Sequence, residues 1–441
     1  MDRYYQSTKM TSNRGRWGSG QILALFPEIE GMNKRRLLER FLEYARIDTT
    51  AREGAGCYPS SPGQLELGRL LVEQLGQLGI DDARQDDYGI VLGTVPPTTD
   101  RPTPVIALCA HLDTSAETPG KDVRPQVIEN YGGGDLILPG KPDRVIRQAD
   151  NPELAELLGK TIITSDGTTL LGADDKAGLA VIVETVAWLS EHTEIEHGPL
   201  RICFTCDEEI GHGTDHLDLK QIDAVACYTL DGPGSNGVDV ETFSADMATL
   251  TVSGINIHPS IAKDRMVNAL RVVADLMGRL PRGLSPETTD GRDGFMHPYE
   301  IGGGVGEVKL QVLLRDFDAA RLDQQARLLR GAARESMARF QGSKVEVSLA
   351  RQYRNMAEGL SAEPRAVEYA QRALQRLGRT AELTTVRGGT DGSRLTELGL
   401  PTPNLSTGQH NPHSAEEWAC LEEMVEAAEL LVSLSEVWAG K

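Results

Sequence analysis

The sequence predicts an α/β fold, a layered sandwich of helices and strands that carries an inserted ferredoxin-like α+β unit. Three observations carry this. Short, unalternating apolar runs such as Val105-Ile-Ala-Leu-Cys-Ala110 have the pattern of strands buried on both faces. These runs alternate with amphipathic helical stripes, the order of an α/β sandwich. From about Met247 to Ala350 the order becomes β-α-β-β-α-β, and afterwards the first style resumes.

Taken in chain order, residues 1–31 show no clear periodicity and read as an N-terminal extension. The main domain is expected over 32–243. Leu38, Phe41, Leu42 and Ala45 recur at helical spacing, as do Leu67, Leu70, Leu71, Leu75 and Leu78. The runs Gly89 to Val95 and Val105 to Ala110 read as strands, followed by a helix over 176–190 and strands Ile202 to Thr205 and Val225 to Leu230. The inserted unit is expected over 244–356. Its strand around Leu250 to Val252 precedes a helix from Ala262 to Leu280, a strand near Tyr299 and a strand from Val308 to Phe317. A helix from Ala319 to Phe340 and a strand from Val345 to Leu349 complete it. Over 357–441 the main domain returns, with a helix from Ala366 to Leu377 and a terminal helix from Leu421. The clusters Gly132 to Gly134 and Gly302 to Gly304 read as turns, because neither opens a helix after a strand as a phosphate loop does.

Composition excludes several function classes. The 441 residues carry 45 Lys plus Arg against 65 Asp plus Glu, a net charge of -20 that repels nucleic-acid phosphates and anionic lipid. No apolar run approaches the ~18 residues of a membrane span. Six scattered cysteines suit a reducing compartment better than a disulfide framework, and Ile22 to Phe26, stopped by Pro27, is too short for a signal-peptide core. A cytoplasmic protein is expected, with neither nucleic acid nor membrane as partner and a homodimer left open.

Five short stretches concentrate His, Asp and Glu at the ends of strands, where ligands gather in open α/β sheets. In Ala110-His-Leu-Asp-Thr114, period two puts His111 and Asp113 on one side, so that Asp113 can orient a metal-binding imidazole. Asp174 stands at the mouth of a helix, and Asp207-Glu-Glu209 makes an acidic turn whose like charges need water or a cation to offset them. Asp231 ends another apolar strand, and His413 precedes the last helix. Each has a bland reading as core histidine, helix cap or solvated charge. Together they offer two His and three carboxylates for metal plus a spare Glu, the inventory of a two-metal hydrolase. Among the other histidines, His192, His197 and His297 read as solvated, while His212 and His216, which follow the acidic turn, read either as supports of the metal ligands or as a surface loop. Cys203 and Cys206 read as small apolar groups rather than a redox pair.

From about Met32 to the C-terminus the chain also resembles the peptidase T aminotripeptidases, a family of the co-catalytic zinc aminopeptidase and carboxypeptidase group. The stretches that carry this are Asn130 to Leu138, Thr169 to Gly178, Asp207-Glu-Glu-Ile-Gly211, Leu314-Arg-Asp-Phe-Asp318 and Arg387-Gly-Gly-Thr-Asp-Gly392. The resemblance implies a zinc-peptidase α/β/α sandwich with a ferredoxin-like lid domain, acting on small peptides. It implies two zinc ions bridged by Asp174, one completed by His111 and Asp231, the other by Glu209 and His413. Glu208 would be the general base and Asp113 the orienting carboxylate, with His258, Arg315 and Arg387 toward the substrate. Cys206 stands where the family usually has proline, and Ser260 where it has glycine. The alternatives are a related dipeptidase or N-acyl amino acid amidohydrolase, or a metal-free peptide-binding paralogue.

Overall fold

The computed structural model describes residues 31–441, so the extension expected at the N-terminus lies outside the described residues apart from Gly31. The first helix, Lys34–Ala45, is capped by Asn33, whose side chain accepts the Arg36 N–H. It turns Leu37, Leu38, Phe41 and Tyr44 inward. The second, Pro62–Gln77, opens on a proline, which has no N–H to leave unsatisfied there.

Eleven strands among the described residues form the main sheet. Its centre is parallel, in the order Leu200–Thr205, Ile106–His111, Ala226–Pro233, Asn404–His410. Antiparallel strands flank it: Val91–Val95 on one side, then Trp418–Cys420, Ile162–Thr164 and Gln126–Ile128 on the other. Every residue of Ile106–His111 is buried, as its unbroken apolar run requires. Helices Ala173–Glu191 and Leu421–Trp438 cover one face through the large core. A smaller cluster on the sheet, with Cys109, Cys203 and Cys227 beside Leu395 and Leu400, forms a second core. Cys203 and Cys206 are buried, unpaired and members of separate cores, in line with their apolar reading.

Between the strand Gly237–Thr242 and the C-terminal helices, the chain builds a second sheet from Ser244–Ser253, Phe295–Gly303, Glu307–Asp316 and Lys344–Tyr353. All pairings are antiparallel, and the spatial order is second, third, first, fourth. Helices Ala269–Arg279 and Ala319–Arg339 cover one face, over Leu250, Val252, Leu310 and Leu314. The first of these helices starts later than the expected Ala262. Ile255 and Val267 exchange both backbone hydrogen bonds, at 2.8 and 3.0 Å, which draws 256–266 out as a loop until Asn268 caps the helix. No helix among the described residues is long and apolar enough to cross a membrane.

Candidate metal centre

The acidic and imidazole side chains converge at the carboxyl ends of the central parallel strands. His111 ends its strand with its ring buried. Its Nε2 lies 2.9 Å from Asp174 Oδ1 and 3.8 Å from Asp231 Oδ1. Asp174 stands where helix Ala173–Glu191 begins, after Gly172 takes the left-handed φ of 81° that a glycine allows. Its other oxygen, Oδ2, is 3.3 Å from His413 Nε2, and that nitrogen is 2.9 Å from Glu209 Oε2. One carboxylate thus faces two imidazoles, one with each oxygen.

Backbone amides hold this arrangement. Asp113 accepts the N–H of Glu208 on Oδ1 and of Glu209 on Oδ2, both at 3.0 Å. The His111 ring is closer to the Asp113 backbone oxygen, at 3.1 Å, than to its carboxylate, at 3.4 Å. Asp113 therefore fixes the acidic turn at least as firmly as it orients the imidazole. Asp207, with φ 60°, anchors the same turn from its other end. Its carboxylate takes the Ser60 N–H and Gln64 Nε2 at 2.6 Å each, and its own N–H donates to Gln64 Oε1 at 3.0 Å. Glu417 accepts the N–H groups of Leu171 and Gly172 at 2.7 Å and of Asp174 at 3.0 Å, tying down the loop that presents Asp174.

The electrostatics show a site rich in negative charge. Burial pushes Asp174 up, but the two imidazoles outweigh it and hold its carboxyl well below the usual range. Burial pushes His413 down, yet contact with Asp174 and Glu209 raises it to about 11. Glu209 is pushed up to about 8 by burial and by the Asp174 charge, in spite of its contact with His413. The same two causes raise Asp231 to about 6. Burial lifts Glu208 well above the carboxylate range although His111 pulls it down.

These residues fit divalent cations. Glu209 Oε1 is buried without a hydrogen-bond partner, a lone pair aimed at nothing in the protein. Candidate donors of His111, Asp174 and Glu209 lie within 4.8 Å of one another, as do those of His111, Asp175 and Asp231. Asp175, however, has one oxygen on the His111 N–H and the other on the Gly178 N–H, both at 3.1 Å. Asp174, without such amides on its oxygens, is the better ligand beside Asp231.

Three of the substrate-side candidates stand apart from this cluster. His258 is exposed, with Nδ1 2.7 Å from Ser260 Oγ. Arg387 bonds Thr289 O and Oγ1 at 2.7 and 2.9 Å and Asp293 O at 2.9 Å, so its head is occupied by a loop of the inserted unit. Arg315 lies on the inserted sheet, its Nε buried and unpartnered. His197 is a correction: it is buried rather than solvated, because Thr98 folds over it and bonds its backbone on both sides. His410 is buried too, stacked on Trp418 and 2.7 Å from Glu423. The partners through which Asp207 and Glu417 act here, Ser60 and Gln64 for the one and the amides of Leu171, Gly172 and Asp174 for the other, were indicated by no motif spacing.

Residues 166–436 match the family model described as peptidase family M20/M25/M40. A protein named peptidase T from Brevibacillus brevis is 40% identical over 405 residues, which cover 92% of this chain and 99% of that one. Among solved structures, the aminopeptidase PepT of Bacillus cereus aligns with a TM-score of 0.71 at 25% identity, over 92% of this chain and 99% of its own. A tripeptidase from Staphylococcus aureus aligns with a TM-score of 0.73 at 25% identity, over 93% and 100%. Since the likeness runs nearly end to end in both sequence and backbone, the chain belongs to the peptidase family M20/M25/M40 and, within it, to the peptidase T group.

Proposed function

We propose that this peptidase is a di-zinc aminopeptidase that releases the N-terminal residue of tripeptides. The observation that carries the reading is the Asp174 carboxylate, with Oδ1 toward His111 and Oδ2 toward His413. His111 and Asp231 would complete one ion, Glu209 and His413 the other, an N/O donor set that suits zinc. Ions held there supply Lewis acidity toward a peptide carbonyl and toward water. The names of the relatives supply the peptide length.

The chain's own groups do the rest. Glu208 takes a proton from the attacking water and returns it to the leaving amine, a role its raised proton affinity suits. The Asp391 N–H, 3.2 Å from Glu208 Oε1, steadies one oxygen and leaves the other for the proton. Asp113 and Asp207 keep the turn that carries Glu208 from shifting. Arg315 has no carboxylate partner among the described residues, and the acid beside it, Asp316, is 4.0 Å from Arg321 instead. A free guanidinium in that position suits the C-terminal carboxylate of a short peptide.

A panel of di-, tri-, tetra- and N-acetylated peptides, read with elemental analysis of the purified protein, tests the proposal. Tripeptides with a free N-terminus should be cleaved fastest and zinc should be present. A preference for dipeptides or N-acetylated amino acids would move the chain to another activity of the family, and a protein free of divalent metal would refute the metal chemistry.

A further inference from the structure

A single irregularity in the inserted sheet decides where Tyr353 faces. In the strand Lys344–Tyr353, Val345 and Val347 point into the helix-covered core, and strict alternation would send Tyr353 the same way. Next to it the register slips. Ala245 pairs with Tyr353 while Asp246 pairs with Arg351, which leaves Gln352 as the extra residue of a bulge. Arg394 of the main domain donates to the Gln352 carbonyl at 2.7 Å and holds the bulge in place. Tyr353 is thereby turned to the other face, the face of Ala245. Arg315 shares that face, since it pairs with Ala245 from the opposite side, and Phe295 pairs with Arg315 in turn. Across the four strands one row reads Phe295, Arg315, Ala245, Tyr353, with only a methyl group between the guanidinium and the phenol.

The row meets the Gly388-Gly389 turn of the main domain. A Cβ on Gly389 would stand 2.5 Å from the Tyr353 ring, so that glycine makes room for the phenol, while the position of a Cβ on Gly388 lies 4.0 Å from Arg315 Nη1, at ordinary contact distance. The Tyr353 hydroxyl is buried and has no hydrogen-bond partner, and the same holds for Arg315 Nε. A buried donor without a partner is unfavourable unless something completes it. Besides burial, which raises the phenol's pKa, the charges close enough to act on it are those of Arg315 and Glu208.

We propose that Tyr353 is a substrate-contact residue, whose hydroxyl donates to the C-terminal carboxylate of the peptide while Arg315 engages the same carboxylate from across Ala245. The proposal rests on the tripeptidase reading. A carboxylate has acceptor sites for both donors at once, and a bond to a charged acceptor is the stronger kind.

The test is Tyr353→Phe, assayed on a tripeptide and on its C-terminal amide. For the free acid KM should rise about 10- to 100-fold with kcat little changed, the size expected for losing a hydrogen bond to a charged group. On the amide, parent and variant should be alike, and the melting temperature should not fall, because the hydroxyl has no protein partner to lose. Equal losses on acid and amide, or a loss confined to kcat, would overturn the assignment. So would a lowered melting temperature with parental kinetics. A parent that cleaves no tripeptide would refute the tripeptidase reading itself, whereas a parent that cleaves acid and amide equally would refute only the carboxylate site.

Discussion

Around the candidate metal centre, two carboxylates outside the proposed ligand set are engaged by backbone amides, two on Asp113 and three on Glu417. On the inserted sheet Arg315 Nε and the Tyr353 hydroxyl are buried without a hydrogen-bond partner. The first region is rigid before any substrate arrives, as chemistry at a fixed point requires. The second is incomplete by itself, and an incomplete donor set is a recognition device because only a matching ligand satisfies it. Substitutions should therefore fail differently on the two sides: in metal content and turnover on one, in substrate affinity on the other.

The sharpest break is expected from Asp174→Ala. It removes the carboxylate common to both proposed ions, so zinc content should fall together with activity. Full zinc content by elemental analysis would remove Asp174 from the centre. Glu208→Gln comes next. The variant should keep its metal and lose about 10²-fold or more in kcat, since an amide cannot accept the proton. Near-parental turnover would show that the base lies elsewhere. Arg315→Ala should raise KM about 10- to 100-fold while kcat changes little, the signature of binding shared by ground and transition states. A drop in kcat with KM unchanged would erase the contrast between the regions.

His197 belongs to neither side and sets the lower end of the scale. Burial depresses its pKa, so on acidification the unfolded chain takes up the proton first. Its contribution is intact above the unfolded pKa of about 6.5 and is lost as pH falls below that value. Between pH 7.5 and 5.5 the parent should lose more in melting temperature than His197→Gln. No difference would mean that the ring is protonated equally in both states.

What could be read from the sequence follows from how local each signal is. The run that ends at His111 advertises a buried strand, and the spacing of His111 and Asp113 is a property of three residues. Ser60 and Gln64 meet Asp207 across more than 140 positions, and no period in the chain connects them. Glu417 stands four residues after His413, but nothing in that spacing points to its three amide partners. The strands Gly237–Thr242 and Glu382–Val386 pair with each other on polar residues such as Asp239 and Thr384, so their apolar alternation is weak. The bulge at Gln352 has no sequence signature either, and period two alone puts Tyr353 on the wrong face. Helix Ala269–Arg279 was misplaced at its start because its apolar stripe continues backwards into a loop that backbone pairing controls.

The linear order of the cluster also imposes an order in time. His111, Asp174, Glu209 and Asp231 leave the ribosome first, then the whole inserted sheet, and only afterwards His413 and Glu417. At synthesis rates of about 5–20 residues per second, the early carboxylates spend many seconds without their last imidazole. Through that interval the nascent protein carries a partial donor set, and the set proposed for the second ion can close only after the inserted sheet has been made.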